Sequence, residues 1–176
     1  LPQAEPSLKI TYVQPKDFTG LLRYVRNILV VTIDPTAYTK VSVGYENNVW
    51  ARGQVVVSLK APNTESIVEY SKTHEKALVN FFVKVEMNRA IEQLQKEYSM
   101  VVMDNLKSDL NVMLNAPANF TYYKDTTDFF WSSNNANTGR MDLIVYTFPY
   151  TDPNTFTEEY LVAKRDSVLK ANLPGS

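Results

Sequence analysis

The chain has 176 residues, of which 44% are hydrophobic, and its 18 basic and 19 acidic side chains give a formal net charge of −1. This length and hydrophobic content favour a folded domain with a proper core over a disordered chain. Nucleic acid is not an expected partner, because no excess of positive charge is available to neutralise phosphates. The sequence contains no cysteine, which removes disulfides, thiolate catalysis and cysteine zinc sites. No apolar stretch is long enough to span a membrane.

In chain order, the first part of the sequence predicts strands and one short helix. Alternating apolar residues in "LKITYV" predict a strand at residues 8–13, and Asp17 precedes a helical pattern in "DFTGLLRYVRN". Residues 28–34, "ILVVTID", are apolar on both faces, which is typical of a central strand. A short edge strand is predicted at residues 41–45. Apolar and polar residues alternate in "VWARGQVVVSLKAP" and predict a further strand with one polar face and a core segment at residues 55–59.

A helical pattern then runs over residues 64–114. One helix of that span would measure roughly 70 Å, whereas a compact chain of this size is only about 40 Å across. The helix is therefore predicted to break. The expected places are residues 71–74 and the vicinity of Ser99, where helix-weak or capping residues interrupt good helix formers.

The last part of the sequence returns to the two-residue period of strands. "FTYYKDTTDFFWSS" predicts a hairpin that turns at residues 125–128, and "RMDLIVYTFPY" predicts a long strand. A final helix is predicted to begin in "TDPNTFTEE", where Thr155 and Glu158 have the spacing of a capping box. Too few helices separate neighbouring strands for a doubly wound parallel sheet. The predicted fold class is therefore α+β, with a largely antiparallel or mixed β-sheet and helices packed on one face.

The domain organisation follows from length and pattern. Residues 1–176 are predicted to form a single α+β domain. Two lobes that meet near the helical region, residues 64–114, are the alternative. No strong internal repeat divides the sequence further.

Few residue patterns point to catalysis. His74 is the only histidine, and its place on the apolar stripe of a predicted helix favours a packing role over a catalytic one. Asp125 and Asp128 are interpreted as solvated turn residues rather than as a catalytic carboxylate pair. "TDPNTFTEE" lacks the glycine and the alternate oxygen ligands of a calcium loop, so helix capping is favoured there over metal binding. The sequence therefore predicts no catalytic residue, no metal site and no cofactor.

Four residues are candidates for ligand binding. Trp50, Arg52 and Gln54 share the polar face of a predicted strand, where a ring and a guanidinium can stack and grip a sugar or a peptide. The alternative is that the loop at residues 35–48 folds over Trp50 and buries it. Arg165 falls within the apolar arc of the final helix, so it is predicted to reach a carboxylate or backbone carbonyls elsewhere in the fold. An anion-binding arginine in a pocket is the alternative for Arg165.

Three stretches carry a resemblance to a known family: "RNILVVTID", "VWARGQVVVSLKAP" and, most specifically, "YTDPNTFTEEYLVAKRDSVLKANLPGS". Through most of its length the chain resembles an uncharacterised family of predicted lipoproteins from Bacteroidota, defined only as a domain of unknown function. Members are longer at both ends and begin with a lipoprotein signal whose cysteine carries the lipid. The resemblance therefore implies that this chain is a fragment of a longer protein located in the cell envelope. It implies no catalytic residue.

The function that these observations favour is a non-enzymatic binding or assembly module of a cell-envelope lipoprotein, facing the periplasm or the outer surface. Its expected ligand is a protein or a glycan of the envelope. A carboxylate-dependent hydrolase of the envelope is the alternative. An enzyme needs titratable groups that converge in a pocket, whereas a binding module needs an aromatic and polar surface.

Overall fold

The computed structural model of the protein describes residues 6–173, and these residues fold into three α-helices and two three-stranded β-sheets. The fold class is α+β, as predicted, with the strands divided between two sheets. The chain separates into two compact units, Leu1–Arg89 and Ala90–Ser176, and each unit contains one sheet. None of the helices described is long and apolar enough to cross a membrane.

The first unit is built on a mixed sheet. Its strands are β1 (Asn27–Ile33), β2 (Ser42–Asn47) and β3 (Val55–Ala61). β3 lies in the middle, parallel to β1 and antiparallel to β2. Its run of β-branched residues is buried, because both neighbouring strands and a helix surround it. The core strand predicted at residues 55–59 is therefore confirmed.

The strand predicted at residues 28–34 is also present, but β1 is an edge strand and not the central one. Its apolar residues do not occupy two buried faces. Leu29, Val31 and Ile33 are 44%, 46% and 46% exposed, while the residues between them are half-buried. β2 lies at the other edge, as predicted for residues 41–45, and all of its residues are exposed.

The segment before β1 differs from the prediction of a strand followed by an α-helix. Residues 8–13 have no regular secondary structure. The helical pattern after them forms two 3₁₀ turns, Pro15–Asp17 and Gly20–Tyr24. Ile10 and Tyr12 are 88% and 81% exposed, so the alternation of apolar residues creates no buried face. A strand needs a neighbour to receive its hydrogen bonds, and the sheet places β1 and β3 side by side without this segment.

The long helical region is broken twice, as predicted. The first helix, α1 (Thr64–Lys96), is interrupted at His74, where φ of −117° and ψ of 15° leave the helical region. It ends before Ser99, which caps the second helix, α2 (Met100–Leu110). The Ser99 hydroxyl accepts a hydrogen bond from the Val102 N–H in that cap.

The core of the first unit lies between β3 and α1. One group of apolar side chains fills this space: Val55, Val57 and Phe82, with Leu8, Phe81 and Val85 half-buried around them. The ring of Phe81 also contacts Tyr45 of β2, with centroids 5.1 Å apart. A single helix thus covers only part of one sheet face. The part of that face that belongs to β1 stays exposed for this reason.

The second unit contains α2, an antiparallel sheet and a third helix. The strands are β4 (Tyr122–Thr126), β5 (Phe129–Ser133) and β6 (Asp142–Tyr146), and the helix is α3 (Glu158–Asn172). β5 lies between β4 and β6. The hairpin predicted to turn at residues 125–128 is confirmed. The strand predicted from "RMDLIVYTFPY" is shorter than expected, at five residues.

The core of the second unit lies between α2 and β5. Its buried residues are Val102, Leu106, Ala116, Phe120 and Phe130. The loop after α2 is fastened to the start of that helix by Ser99. The Ser99 hydroxyl donates to the carbonyl oxygen of Phe120 at 2.6 Å, and its N–H donates to that of Ala116 at 2.9 Å. The residue that caps α2 therefore also closes the core beneath it.

We expect Val57→Asp to prevent folding of the first unit, because it places a carboxylate in the apolar core between β3 and α1. The loss in the free energy of unfolding should exceed about 4 kcal/mol, measured by denaturant titration or seen as insoluble protein. Val43→Asp is the matched control, since Val43 on β2 is 43% exposed and leaves the new carboxylate in water. A Val57→Asp protein that melts at the wild-type temperature would refute the assignment of the core.

Candidate functional site

The three residues predicted to share one strand face do not lie on a strand. β3 begins at Val55, and Trp50, Arg52 and Gln54 belong to the turn that connects β2 to β3. The alternating pattern is interrupted at Gly53, which adopts a φ of 76°. The interpretation of a common polar face was wrong, and each of the three side chains has different surroundings.

Gln54 lies inside the protein, with 1% of its surface exposed. Its Nε2 donates to the carbonyl oxygens of Arg23 and Val25, each at 2.7 Å. Its Oε1 accepts from the N–H of Trp50 at 3.0 Å. The Gln54 amide thus ties the segment before β1 to the turn before β3, and both of its hydrogens are used in doing so.

Trp50 and Arg52 lie at the surface of this turn. Trp50 is 37% exposed and packs edge to face on Phe18, with ring centroids 5.5 Å apart and planes at 71°. A ring from the segment before β1 therefore covers part of Trp50, and the predicted burial of Trp50 under the loop at residues 35–48 is not seen, because Trp50 stays exposed. Arg52 is exposed. The structure separates these two side chains from Gln54, and their role in binding stays a prediction.

Arg165 is not buried. Its Nη2 lies 2.8 Å from the Oδ1 of Asp166, the next residue, and the two side chains are 56% and 61% exposed. The predicted lock on the sheet is wrong in its partner, because this contact is to the adjacent residue and not to another part of the fold. The alternative role of Arg165 in anion binding stays a prediction. The apolar arc of α3 was a poor guide because Leu161 and Val162 within it are themselves 39% and 40% exposed.

The helix predicted to begin in "TDPNTFTEE" does begin there, at Glu158, but with a different cap from the predicted one. Asp152 caps a 3₁₀ turn at Pro153–Phe156. α3 is then capped by Thr157, whose hydroxyl accepts from the N–H of Tyr160 at 3.4 Å. Thr155, the predicted cap, is 1% exposed, and its hydroxyl donates to the carbonyl oxygen of Asp152 at 2.6 Å. Thr155 therefore anchors the turn instead of capping the helix.

His74 was predicted to pack against the core, but the structure leaves it exposed. Its ring stacks on that of Tyr70, with centroids 4.0 Å apart. Its Nδ1 lies 2.8 Å from the hydroxyl of Thr73 and 3.1 Å from the carbonyl oxygen of Tyr70. These contacts all lie within one turn of α1, at its interruption, so the neighbours of the His74 ring that the structure shows are local ones.

The second unit carries a group of stacked aromatic rings that the sequence did not reveal as a site. We call these rings, together with the lysine beside them, the aromatic cluster. Its side chains form two rows: Tyr146, Phe148 and Tyr150 at alternate positions, and Phe156, Tyr160 and Lys164 at every fourth position. Phe148 lies 6.0 Å from Tyr146 and 6.1 Å from Tyr160, measured between ring centroids. Tyr150 lies 5.4 Å from Phe156. The rings therefore pair across the two rows.

The aromatic cluster is half-buried at one end and open at the other. Phe148 and Tyr160 are half-buried, and the Lys164 ammonium lies 5.0 Å from the centroid of Phe148 in a cation–π contact. At the open end, Tyr150 and Phe156 are 63% and 74% exposed, with ring planes at 25°. Two large stacked rings left in water mark a surface suited to contact with another molecule.

A pair of carboxyl groups also lies in the second unit, and it joins Asp125 to Asp109 rather than to Asp128. Asp109 is near the end of α2 and Asp125 is on β4, and their side chains share a hydrogen bond. Desolvation, followed by the contact with Asp109, raises the pKa of Asp125. The hydrogen bond from Ser108, followed by that from Asp125, lowers the pKa of Asp109. Asp128 instead accepts from the hydroxyl of Thr147 at 3.2 Å.

Comparison with known proteins places the chain among families whose function is unknown. The family model of a domain of unknown function, DUF8532, matches residues 1–95, and that of a second domain of unknown function, DUF4837, matches residues 99–176. Because the first match covers more than half of the chain, the protein belongs to the DUF8532 family. Neither a curated protein nor a solved structure shows significant similarity to it. The resemblance to a domain of unknown function is thus confirmed.

We expect Asp125→Asn to raise the melting temperature at neutral pH by about 1–2 °C, a small effect because the carboxyl pair lies near the surface. The raised pKa of Asp125 means that its ionisation opposes folding once the pH exceeds the unfolded value of about 3.9. An amide removes this opposition and still donates to Asp109, whose lowered pKa contributes in the opposite sense. The difference from wild type should therefore vanish below the unfolded value, grow as the pH rises to the raised pKa of Asp125 in the folded protein, and stay level above it.

The measurement is thermal unfolding of both proteins between about pH 4 and about pH 8. Asp104→Asn is the matched control, since Asp104 is an exposed carboxylate on the same helix, α2. A difference between Asp125→Asn and wild type that is constant with pH would show that folding does not raise the pKa of Asp125.

Proposed function

We propose that the protein is a non-enzymatic binding module and that the aromatic cluster is its contact surface. The observation that carries this proposal is the exposed and stacked pair Tyr150 and Phe156, at 63% and 74% exposure. Burying a phenylalanine completely gains about 1.5–3 kcal/mol, so a partner that covers the open pair recovers free energy that the folded chain leaves unused. Aromatic residues are also enriched at the centres of interfaces.

The groups around the open pair favour a glycan of the cell envelope as the ligand. Asp152, Asn154 and Glu158 lie exposed on the turn and on the first residues of α3. A sugar ring offers an apolar C–H face that stacks on an aromatic ring and hydroxyls that hydrogen-bond to carboxylates and amides. The interior of a protein interface would be expected to continue with apolar side chains instead. The mixture of rings and short polar groups therefore supports a sugar.

We expect Phe156→Ala and Tyr150→Ala each to weaken binding of soluble envelope glycans by about tenfold or more. The measurement is isothermal titration with muropeptides and with surface polysaccharide fragments, accompanied by melting curves. Neither variant should lower the melting temperature, because both rings are largely in water. Met113→Ala is the matched control, since Met113 is 75% exposed in the same unit and lies outside the aromatic cluster.

The outcome distinguishes the classes of ligand. Glycan binding that both variants leave unchanged would contradict the proposed surface. Binding of an envelope protein, lost in the same two variants and with no glycan bound, would keep the surface but replace the sugar by a protein ligand.

We further propose that the protein is a lipoprotein of the Bacteroidota cell envelope. The support is the resemblance carried by "RNILVVTID", "VWARGQVVVSLKAP" and the segment from Tyr150 onward. The lipid-bearing cysteine would lie outside these residues, because the 176 residues contain none. We expect the full-length gene product, expressed in a Bacteroidota host, to incorporate a clickable palmitate and to fractionate with membranes. An unlabelled product in the soluble fraction would contradict this proposal.

A carboxylate-dependent hydrolase is the second candidate, and one observation favours it. Asp109 and Asp125 share a hydrogen bond and their pKa values are shifted apart, which is how paired carboxyls divide acid and base roles. The binding module is preferred because Asp109 is exposed and Asp125 only half-buried, whereas an active site holds its substrate in a concave pocket that excludes water. Hydrolysis of an envelope substrate that Asp125→Asn abolishes would reverse this preference.

A further inference from the structure

The outer edge of β1 is an uncharged and unprotected strand edge. The segment "NILVVTI" contains no charge, proline or glycine over its seven residues, and Leu29, Val31 and Ile33 are 44–46% exposed. Natural sheets protect such edges with charges, prolines, bulges or a covering element, because an open edge pairs readily with another strand. β1 has none of these devices in its own residues, and the sheet order of the described chain leaves its outer edge open. A strand partner is therefore expected there.

The pairing with β3 fixes which backbone groups β1 directs outward. The Arg26 carbonyl oxygen accepts from the Val55 N–H at 2.8 Å, and the Asp34 N–H donates to the Ala61 carbonyl oxygen at 3.0 Å. In a parallel pair, only every second residue of a strand uses its backbone N–H and C=O to bond to a given neighbour. Because Arg26 and Asp34 bond to β3, the even-numbered residues of β1 direct these groups toward β3. The odd-numbered residues, such as Leu29, direct N–H and C=O toward the open edge.

The sequence of β1 is complementary to itself about Val30. In an antiparallel two-fold pairing centred on Val30, Leu29 of one copy meets Val31 of the other. Both of these residues direct their backbone groups to the open edge, so they form a hydrogen-bonded pair. The same pairing places Arg26 of one copy beside Asp34 of the other, once at each end. The residues that flank β1 on its two sides therefore carry opposite charges, and the two-fold of the pairing brings them together.

Both charged groups lie where a second copy can reach them. The Arg26 side chain is 70% exposed, and its Nε lies 3.3 Å from the Oε1 of Glu86. The Asp34 carboxylate accepts from the hydroxyl and the N–H of Thr36 at 2.7 and 2.8 Å. The hydroxyl of Thr36 is the main cause of a lowered pKa at Asp34, so this carboxylate is ionised at neutral pH.

We propose that two copies of this chain associate through antiparallel pairing of their β1 strands about a two-fold axis at Val30. The two sheets then join into one continuous sheet, and each copy covers the open edge of the other. A second copy is the preferred occupant because the matching charge lies in the chain itself. The apolar contact is limited to three half-exposed side chains per copy, against roughly 800 Å² per partner in a standard interface. The dimer is therefore expected to be weak and dependent on concentration.

A single introduced cysteine tests the register directly, because the chain has no other thiol. Opposed residues in a non-hydrogen-bonded antiparallel pair have Cα atoms about 4.5 Å apart, within the range of a disulfide. Val30→Cys is expected to give a disulfide-linked dimer under mild oxidation. Thr32→Cys is the matched control, on the same face of β1, because its two copies would lie more than about 10 Å apart.

Charge reversal tests the same pairing without a crosslink. In sedimentation equilibrium of the 176-residue chain, Arg26→Asp and Asp34→Arg are each expected to raise the dimer dissociation constant about tenfold or more. The double variant should restore dimerisation, even if each single change disturbs local contacts of its own. Arg23→Asp, an exposed position outside β1, should leave the dimer unchanged.

Three results would overturn the proposal. A wild-type chain that stays monomeric at every concentration would show that β1 does not pair with itself. Crosslinking through Thr32→Cys but not through Val30→Cys would place the two-fold elsewhere. Capture of an unrelated strand at β1, with the chain otherwise monomeric, would replace the second copy as the occupant.

Discussion

The arrangement of the first unit depends on the contacts of one guanidinium, that of Arg89 on α1. Its Nη1 donates to the side chains of Asn27 and Glu86 at 2.7 and 2.6 Å. Its Nη2 donates to the carbonyl oxygens of Arg26 and Gly53 at 3.1 and 2.7 Å. A single side chain on α1 therefore holds the first residue of β1 and the turn that leads into β3. Hydrogen bonds from a charged donor are stronger than those between neutral groups. The guanidinium can form all four at once because it carries several N–H donors in one plane.

The contacts that fix the first residues of β1 and β3 also determine which side chains of β1 are exposed. The two strands pair from Asn27 opposite Val55, and Gln54 ties the turn to the segment before β1 through the carbonyl oxygens of Arg23 and Val25. A slip of one residue would turn every side chain of β1 to the other face. The register held by these polar contacts thus decides which apolar residues α1 covers and which stay in water.

Local patterns in the sequence predicted much of the fold and little of the candidate site. Residues 55–59 and the break at residues 71–74 were predictable, because a β-branched run and helix-weak residues act within a few positions. Residues 8–13 were not, since a strand also needs a neighbour. The prediction of a strand face around Trp50 was wrong because the chain turns at Gly53, and a pattern of apolar residues does not reveal the positive φ of this glycine. The aromatic cluster joins two rows that are regular in the sequence, but their pairing is a long-range contact that no local period contains.

The exposed ring of Phe156 is held in water by the backbone that carries it. Thr155 beside it is buried, and Asp152 and Thr157 cap the structure on either side. Consecutive side chains of this turn therefore face opposite environments. In a flexible loop the ring could move with the backbone, whereas in this turn hydrogen bonds of Asp152, Thr155 and Thr157 fix the backbone that carries the ring. Because the ring is already in place, a ligand that stacks on it would order little of the protein and lose little conformational entropy on binding.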